Sequence, residues 1–216
     1  MTGVKICGLT TPNDAVHCVE AGAEAIGLNF WPDSPRHTHI ETARRIVGAV
    51  GHRAQVVGVF VDFTTSQIIE IMTETGIAWA QLHGDESPAD VAALLPNAYK
   101  AIGVRDGSAI AIAQTYPGDQ LLLDASVPGL PGGTGRTFDW SIAAEVAKVR
   151  KLTLAGGLNA ENVRAAIEAV RPFRVDVASG VESAPGRKDA ALVEAFIKAA
   201  REASSPREVS FPPDRS

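Results

Sequence analysis

The sequence is poor in cysteine and has no long hydrophobic run. It contains two cysteines in 216 residues, Cys7 and Cys18, which are too few for a disulfide framework. The cysteines and histidines also lack the spacing of a zinc site, so we expect no metal. No apolar stretch approaches the roughly 18 residues that a membrane-spanning helix needs, and the first residues resemble a strand rather than a signal peptide. We therefore expect a cytoplasmic protein with no membrane contact.

The sequence also has fewer basic than acidic residues. There are 20 lysines and arginines against 25 aspartates and glutamates, for a net charge of −5. A general nucleic-acid binder normally carries a basic excess, so we expect no nucleic-acid partner. With 45% hydrophobic and 21% charged residues, the composition is that of a soluble globular protein with one large core or two small ones.

Short apolar runs alternate with segments of helical periodicity along almost the whole chain. Runs rich in β-branched and apolar residues predict eight strands, at 3–8, 25–30, 55–61, 79–83, 98–104, 120–125, 151–155 and 173–179. The segments between them predict helices from apolar stripes at i, i+3, i+4 and i+7, such as Val163, Ala166, Ile167 and Val170.

Helix start signals agree with this alternation. Thr11-Pro12 and Ser87-Pro88 each combine a capping residue with a proline at the first helical position. Strand–helix units that repeat without a linker favour a closed parallel barrel over an open sheet. We therefore predict an α/β fold, a single-domain (β/α)8 TIM barrel over residues 1–203. The Ser- and Pro-rich segment 204–216 has no periodicity and is predicted to be a flexible C-terminal tail.

In such a barrel the reactive groups lie at the C-terminal ends of the strands and in the loops that follow. The polar residues at these places are Cys7, Arg36, Asp62, His83, Arg105 and Asp124. If Leu121 and Leu123 face the helices, Asp124 points into the lumen. The same alternation places Asp176 in the lumen, where a buried carboxylate needs a partner. Lys5 shares that face and is the candidate.

Two turns that contain glycine follow the last two predicted strands. Gly156 and Gly157 lie after the seventh strand, and Ser179 and Gly180 lie after the eighth. Barrels of this class often bind a substrate phosphate with backbone N–H groups of these loops, so we predict a phosphate site there. The loop 126–138 is also rich in glycine but lacks a nucleotide-loop pattern, and we predict that it is a lid.

Each candidate side chain also has a purely structural interpretation. Cys7 could be a small buried hydrophobe, Asp124 a helix cap, and Arg36 a solvated surface charge. His83 and Asp176 could contact a substrate or only orient other residues of the lumen. The position of Cys7 at the C-terminal end of a predicted barrel strand favours chemistry over packing.

Eight sequence motifs follow one another along the strand–helix units, in the order KICGLT, SPR, VGVF, QLHG, LLLDA, GGTGRTFDW, AGGLNAENV and VDVASGVE. In this order the motifs resemble those of the phosphoribosylanthranilate isomerases of tryptophan biosynthesis. The likeness extends over about residues 3–200, and KICG combined with GGTGRTFDW is its most specific part.

The resemblance implies an intramolecular oxidoreductase of the aldose–ketose isomerase type, with no cofactor and no metal. It implies an Amadori rearrangement of a phosphorylated aminosugar, N-(5′-phosphoribosyl)anthranilate, to 1-(2-carboxyphenylamino)-1-deoxyribulose 5-phosphate. It also implies that Cys7 is the general base, that Asp124 is the general acid, and that Arg36 holds the anthranilate carboxylate. For these roles we expect burial to raise the pKa of Asp124, and nearby positive dipoles or hydrogen-bond donors of the site to lower that of Cys7.

Three other functions fit parts of the pattern. A bifunctional isomerase that also acts on the histidine-pathway aminoaldose would, by resemblance, carry aspartate at the position of Cys7. A non-catalytic phosphate-binding barrel would need neither Cys7 nor Asp124. A metal-dependent epimerase would need ligands at several strand ends, where only His83 qualifies. The oligomeric state stays open between monomer and homodimer.

Overall fold

Eight parallel β-strands close into a barrel in the computed structural model, which describes residues 1–104, 106–124 and 140–204. The strands follow one another around the barrel in chain order, and the first pairs with the last. They start and end within about two residues of the predicted limits. Their bounds are β1 Gly3–Cys7, β2 Ala25–Asn29, β3 Gln55–Phe60, β4 Trp79–Leu82, β5 Ala98–Gly103, β6 Gln120–Asp124, β7 Lys151–Ala155 and β8 Arg174–Val177.

A helix follows each strand along the chain. The helices are α1 Pro12–Ala21, α2 Ile40–Val50, α3 Thr65–Thr75, α4 Pro88–Leu94, α5 Ser108–Thr115, α6 Trp140–Ala147, α7 Val163–Val170 and α8 Ala190–Ser204. The two start signals are confirmed. The Thr11 hydroxyl accepts a hydrogen bond from the Asp14 N–H at 3.1 Å, and the Ser87 hydroxyl accepts one from the Asp90 N–H at 3.3 Å. These caps satisfy backbone donors that have no partner within the helix.

The segment after β8 carries elements that the periodicity does not indicate. A 3-10 turn, Ser179–Val181, leads into an antiparallel hairpin of β9 Glu182–Ala184 and β10 Arg187–Lys188. Strands of three and two residues are too short to show an alternation of apolar and polar residues, so the sequence pattern contains no sign of them.

Two hydrophobic layers hold the barrel together. The outer layer lies between the sheet and the helices and includes Leu121 and Leu123. The inner layer lies in the lumen and consists of Val57, Tyr99, Ala101, Leu122 and Ala155, with Trp79 packed against it. Leucines of β6 thus alternate between the two layers, which confirms the predicted parity and places Asp124 on the lumen side with Leu122.

The predicted (β/α)8 barrel is therefore confirmed. Arg105, the predicted lid at 126–138 and the residues 205–216 of the predicted tail lie outside the described residues. The lid, the tail and the domain limit at residue 203 accordingly stay predictions. Within the described ranges, no helix combines the length and the apolar character needed to cross a membrane.

Candidate active site

The C-terminal ends of the strands bring most of the predicted residues to one end of the barrel. Cys7 and Asp124 are the last residues of β1 and β6, and His83 comes directly after β4. Asp176 lies inside β8 with its side chain almost fully buried. In a parallel barrel these positions share the same end, where active sites are found.

The Cys7 thiol occupies a space that the neighbouring strand leaves open. Gly27 of β2 pairs with Cys7 in the sheet register, and a Cβ atom at Gly27 would come within 2.6 Å of the Cys7 Sγ. Any side chain at this position of β2 would therefore displace the thiol. Cys7 itself is half-buried, whereas Cys18 is fully buried in α1 and packs in the outer hydrophobic layer.

The expected lowering of the Cys7 pKa is wrong. Burial raises the pKa of the Cys7 thiol, and the positive charges of Lys5 and Lys188 offset this only in part. Asp176 adds to the increase because its negative charge opposes a second anion nearby. Sequence position shows which charges are close to the thiol but not how completely solvent is excluded from it.

Lys5 and Asp176 form a buried ion pair in the lumen, as predicted. They face each other in the register of β1 and β8, and the Lys5 Nζ lies 2.8 Å from the Asp176 Oδ2. Burial lowers the pKa of Lys5, but the charge of Asp176 and further anionic groups outweigh this effect and raise it overall. The Asp176 Oδ1 is itself buried and has no hydrogen-bond partner among the described residues.

His83 and Asp124 meet at one side of a cavity of about 660 Å³ at the mouth. The His83 Nε2 lies 3.5 Å from the Asp124 Oδ2, and both side chains are partly exposed. The cavity is also lined by Asp62, whose Oδ1 accepts a hydrogen bond from the Asp85 N–H at 2.6 Å. Asp62 therefore ties two loops together, which agrees with its being a loop charge rather than a reacting group.

Arg36 is held by a carboxylate that the sequence reasoning missed. Its Nε donates hydrogen bonds to both carboxylate oxygens of Glu182, at 2.9 and 3.1 Å, and its Nη2 donates one at 2.7 Å. The Lys188 Nζ donates a further one to Glu182 at 2.8 Å. Burial raises the pKa of Glu182, but the hydrogen bonds from Arg36 and Lys188 outweigh burial and lower it overall. Glu182 and Lys188 belong to the hairpin, which the sequence pattern does not reveal.

The two predicted phosphate loops lie against each other. Gly156 and Gly157 follow β7 directly, and Gly180 lies in the 3-10 turn after β8. A Cβ atom at Gly180 would collide with the backbone carbonyl oxygen of Leu158, so only glycine permits this approach of the two loops. The N–H groups of Gly157, Ser179 and Gly180 donate to no acceptor among the described residues, which is the condition for receiving an anion.

Two buried polar residues of the lumen were also missed. Gln81 of β4 and Tyr99 of β5 are both about 1% exposed. Gln81 joins Lys5 to His83 by hydrogen bonds, and the Tyr99 hydroxyl donates a further one to Gln81. Strand parity places Gln81 on the same face as His83, and this was the signal available in the sequence. In the described part of the chain, no three Cys, His, Asp or Glu side chains come close enough to hold a metal ion.

The fold and its mouth define a class, the (β/α)8-barrel enzymes with titratable groups at the C-terminal ends of the strands. The family model described as N-(5′-phosphoribosyl)anthranilate (PRA) isomerase matches residues 4–199. The chain therefore belongs to the phosphoribosylanthranilate isomerase family, which confirms the resemblance and the isomerase class that its motifs indicated.

Individual relatives agree over nearly the whole chain. It is 46% identical over 201 residues to the N-(5′-phosphoribosyl)anthranilate isomerase of Geobacter metallireducens, covering 93% of this chain and 100% of that protein. The crystal structure of the phosphoribosyl anthranilate isomerase from Thermotoga maritima matches with a TM-score of 0.85 at 41% identity, covering 94% and 100%. A structure of the isomerase in complex with reduced 1-(o-carboxyphenylamino)-1-deoxyribulose 5-phosphate matches with a TM-score of 0.81 at 38% identity, covering 94% and 100%.

Proposed function

We propose that Cys7 and Asp124 carry out the Amadori rearrangement of N-(5′-phosphoribosyl)anthranilate as general base and general acid. The isomerase activity and its place in tryptophan biosynthesis follow from membership of the family, whose model spans residues 4–199. The roles of individual residues rest on the geometry of the mouth. The observation that carries these roles is the position of a thiol and a carboxylate at the C-terminal ends of β1 and β6. These two strands are separated by β7 and β8 in the barrel.

The rearrangement needs one proton donated and one removed at different atoms. Asp124 in its acid form gives a proton to the furanose ring oxygen, and the C1–O bond breaks as the anthranilate nitrogen forms a double bond to C1. The Cys7 thiolate then removes the proton from C2, which produces an enaminol. The enaminol becomes the ketone when C1 gains a proton and the C2 hydroxyl loses one, so that the product is an isomer of the substrate.

The surroundings of the two groups support this division of roles. Lys5 and Lys188 supply positive charge near the thiol, which favours the anion that Cys7 needs as a base. His83 lies beside Asp124 and stabilises the carboxylate that remains after the proton has been given. The raised pKa of Asp124, expected from its acid role, remains a prediction.

Substrate binding is proposed for three further groups. Arg36 binds the anthranilate carboxylate through Nη1 and the second hydrogen of Nη2, because Glu182 occupies Nε and the first hydrogen of Nη2. The N–H groups of Gly156, Gly157, Ser179 and Gly180 bind the phosphate. Asp176 contacts a polar group of the substrate or orients other residues of the lumen, and His83 contacts the substrate or orients Asp124.

We also propose a cytoplasmic enzyme that acts alone or as a homodimer, with no nucleic-acid partner. The net charge of −5 supports the last point because nucleic-acid phosphates repel an acidic protein. Light scattering of the purified chain distinguishes monomer from dimer directly.

The assignment is tested by Cys7→Ser and Asp124→Asn. Phosphoribosylanthranilate is generated in place from anthranilate and phosphoribosyl pyrophosphate, and the loss of its fluorescence is followed. We expect each substitution to lower kcat by at least about 100-fold, because each removes one acid–base group. Cys18→Ala, which changes the cysteine buried in α1, serves as the matched control and is expected to keep kcat.

Two results would contradict these assignments. If the Cys7→Ser variant retains turnover, the assignment of the substrate stands but the general base must be another group. A wild-type protein that binds the product tightly and turns nothing over would be a phosphate-ligand receptor, and both catalytic roles would then be wrong.

A further inference from the structure

A chain of hydrogen bonds runs through the lumen from the ion pair to the mouth, and Gln81 is its centre. The Gln81 Oε1 accepts hydrogen bonds from the Lys5 Nζ at 2.9 Å and from the Tyr99 hydroxyl at 3.1 Å. The Gln81 Nε2 lies 3.0 Å from the His83 Nδ1. The His83 Nε2 in turn lies 3.5 Å from the Asp124 Oδ2. Every one of these groups on β1, β4, β5 and β6 faces the same lumen.

The orientation of the Gln81 amide follows from its partners. An ammonium group has only donors, so the atom that faces Lys5 must be the amide oxygen and not the NH2 group. Burial raises the pKa of Tyr99 to about 12, so its hydroxyl keeps a proton to donate at neutral pH. Two independent donors on one oxygen leave the amide a single arrangement, with its NH2 group directed at His83.

The amide orientation then decides the tautomer of His83. Because the Gln81 NH2 group can only donate, the Nδ1 that it faces must be the unprotonated, accepting nitrogen. The ring proton therefore sits on Nε2, the atom next to the Asp124 carboxyl group. The wrong tautomer would present a lone pair to Asp124 and would repel the carboxylate.

We propose that Gln81 is a positioning residue for the acid group: it holds His83 as the Nε2–H tautomer, directed at Asp124. The proposal rests on the assignment of Asp124 as general acid. When Asp124 gives its proton to the ring oxygen, the resulting carboxylate meets an N–H donor already in place. Gln81 itself is about 1% exposed and cannot touch the substrate, so its contribution falls on the chemical step rather than on binding.

The first test determines the tautomer of His83 in the protein without substrate. Two-bond ¹H–¹⁵N spectra of protein labelled with ¹⁵N-histidine distinguish the protonated from the unprotonated ring nitrogen of each of the five histidines, and the signals lost in His83→Gln belong to His83. The expected result is a protonated Nε2 and an unprotonated Nδ1. A wild-type His83 with its proton on Nδ1 alone would overturn the proposal, whatever the activity.

The second test reverses the donor at Gln81. In Gln81→Glu both side-chain oxygens are acceptors, so the proton of His83 is drawn to Nδ1; in Gln81→Met nothing fixes the ring. We expect a changed His83 spectrum in both variants, kcat lowered by about tenfold to a hundredfold, and KM within about twofold of the wild type. Leu122→Met, a change of similar size in the apolar part of the lumen, is the control for packing and should preserve both kcat and the His83 spectrum.

The outcomes separate this proposal from the catalytic assignments. A changed tautomer with unchanged kcat would show that Gln81 does not position the acid. A lowered kcat with an unchanged His83 spectrum would show that the effect passes through packing or Lys5, which also contradicts the proposal. If Asp124→Asn retains kcat, the assignment of the acid fails, while the tautomer in the free protein is still decided by the spectrum.

Discussion

Two ion pairs in the described part of the barrel have similar lengths but serve different purposes. The inner pair joins Lys5 to Asp176 at 2.8 Å inside the lumen, and its side chains are 0% and 7% exposed. The rim pair joins Arg36 to Glu182 at 2.7 Å, and its side chains are 23% and 4% exposed. In both pairs the carboxylate is buried, so the difference lies in the cation.

That difference decides what each pair can do. The Lys5 ammonium is enclosed, and among the described residues it donates hydrogen bonds to Asp176 and Gln81. It therefore sets the charge around Cys7 without touching a ligand. The Arg36 guanidinium keeps one edge outside its pairing with Glu182, so it is at the same time fixed in place and able to bind an anion. The exposure of the cation therefore distinguishes the two pairs of this barrel.

The largest expected effect comes from breaking the inner pair. Lys5→Met leaves the Asp176 carboxylate buried without a counter-charge, and we expect the free energy of unfolding to fall by about 3–5 kcal/mol. Urea denaturation at neutral pH measures this change, and Lys198→Met on the exposed face of α8 is the control. A loss below about 1 kcal/mol, which is typical of a surface pair, would contradict the enclosed character of the inner pair.

An intermediate effect, on binding rather than on stability, is expected at the rim. Glu182→Gln removes the charge that holds the Arg36 guanidinium in place. Binding of the substrate carboxylate then has to restrict an Arg36 side chain that is more mobile in the free enzyme. We expect KM to rise about tenfold while kcat stays within about threefold in steady-state assays. Glu194→Gln, at a glutamate that is 64% exposed, is the matched control. An unchanged KM, or a loss confined to kcat, would rule out this role for Glu182.

The smallest effect is a change in pH dependence at Cys7, which lies near both pairs. Burial raises the pKa of Cys7, so the thiolate fraction at neutral pH is below that of an ordinary thiol. We therefore expect kcat/KM to keep rising with pH above the usual pKa of a thiol. Thiolate absorbance in a Cys18→Ala background reports the same titration. Removal of Lys5 should raise the midpoint more than removal of Lys188, since Lys5 is the larger of the two opposing effects. A midpoint below the ordinary thiol value would contradict this.

The two pairs also differ in how far they could be predicted. Lys5 and Asp176 lie on neighbouring strands of regular geometry, so alternation of side chains was enough to place both in the lumen and to pair them. Arg36 and Glu182 are 146 residues apart, one in the loop after β2 and the other at the start of the hairpin. Loops have no periodicity from which such a contact could be derived, and only their folded arrangement reveals it.

By itself, the sequence determined the eight strand–helix units, the barrel they form, the helix caps and the set of polar residues at the strand ends. These features depend on local patterns of apolar residues and on short-range hydrogen bonds, both of which can be recognised in the sequence. Only the tertiary structure decided the direction of the Cys7 pKa shift, the partner of Arg36 and the path from Lys5 through Gln81 to His83. Desolvation and hydrogen-bond networks depend on what surrounds a group in space, and residues distant in the chain supply most of those surroundings.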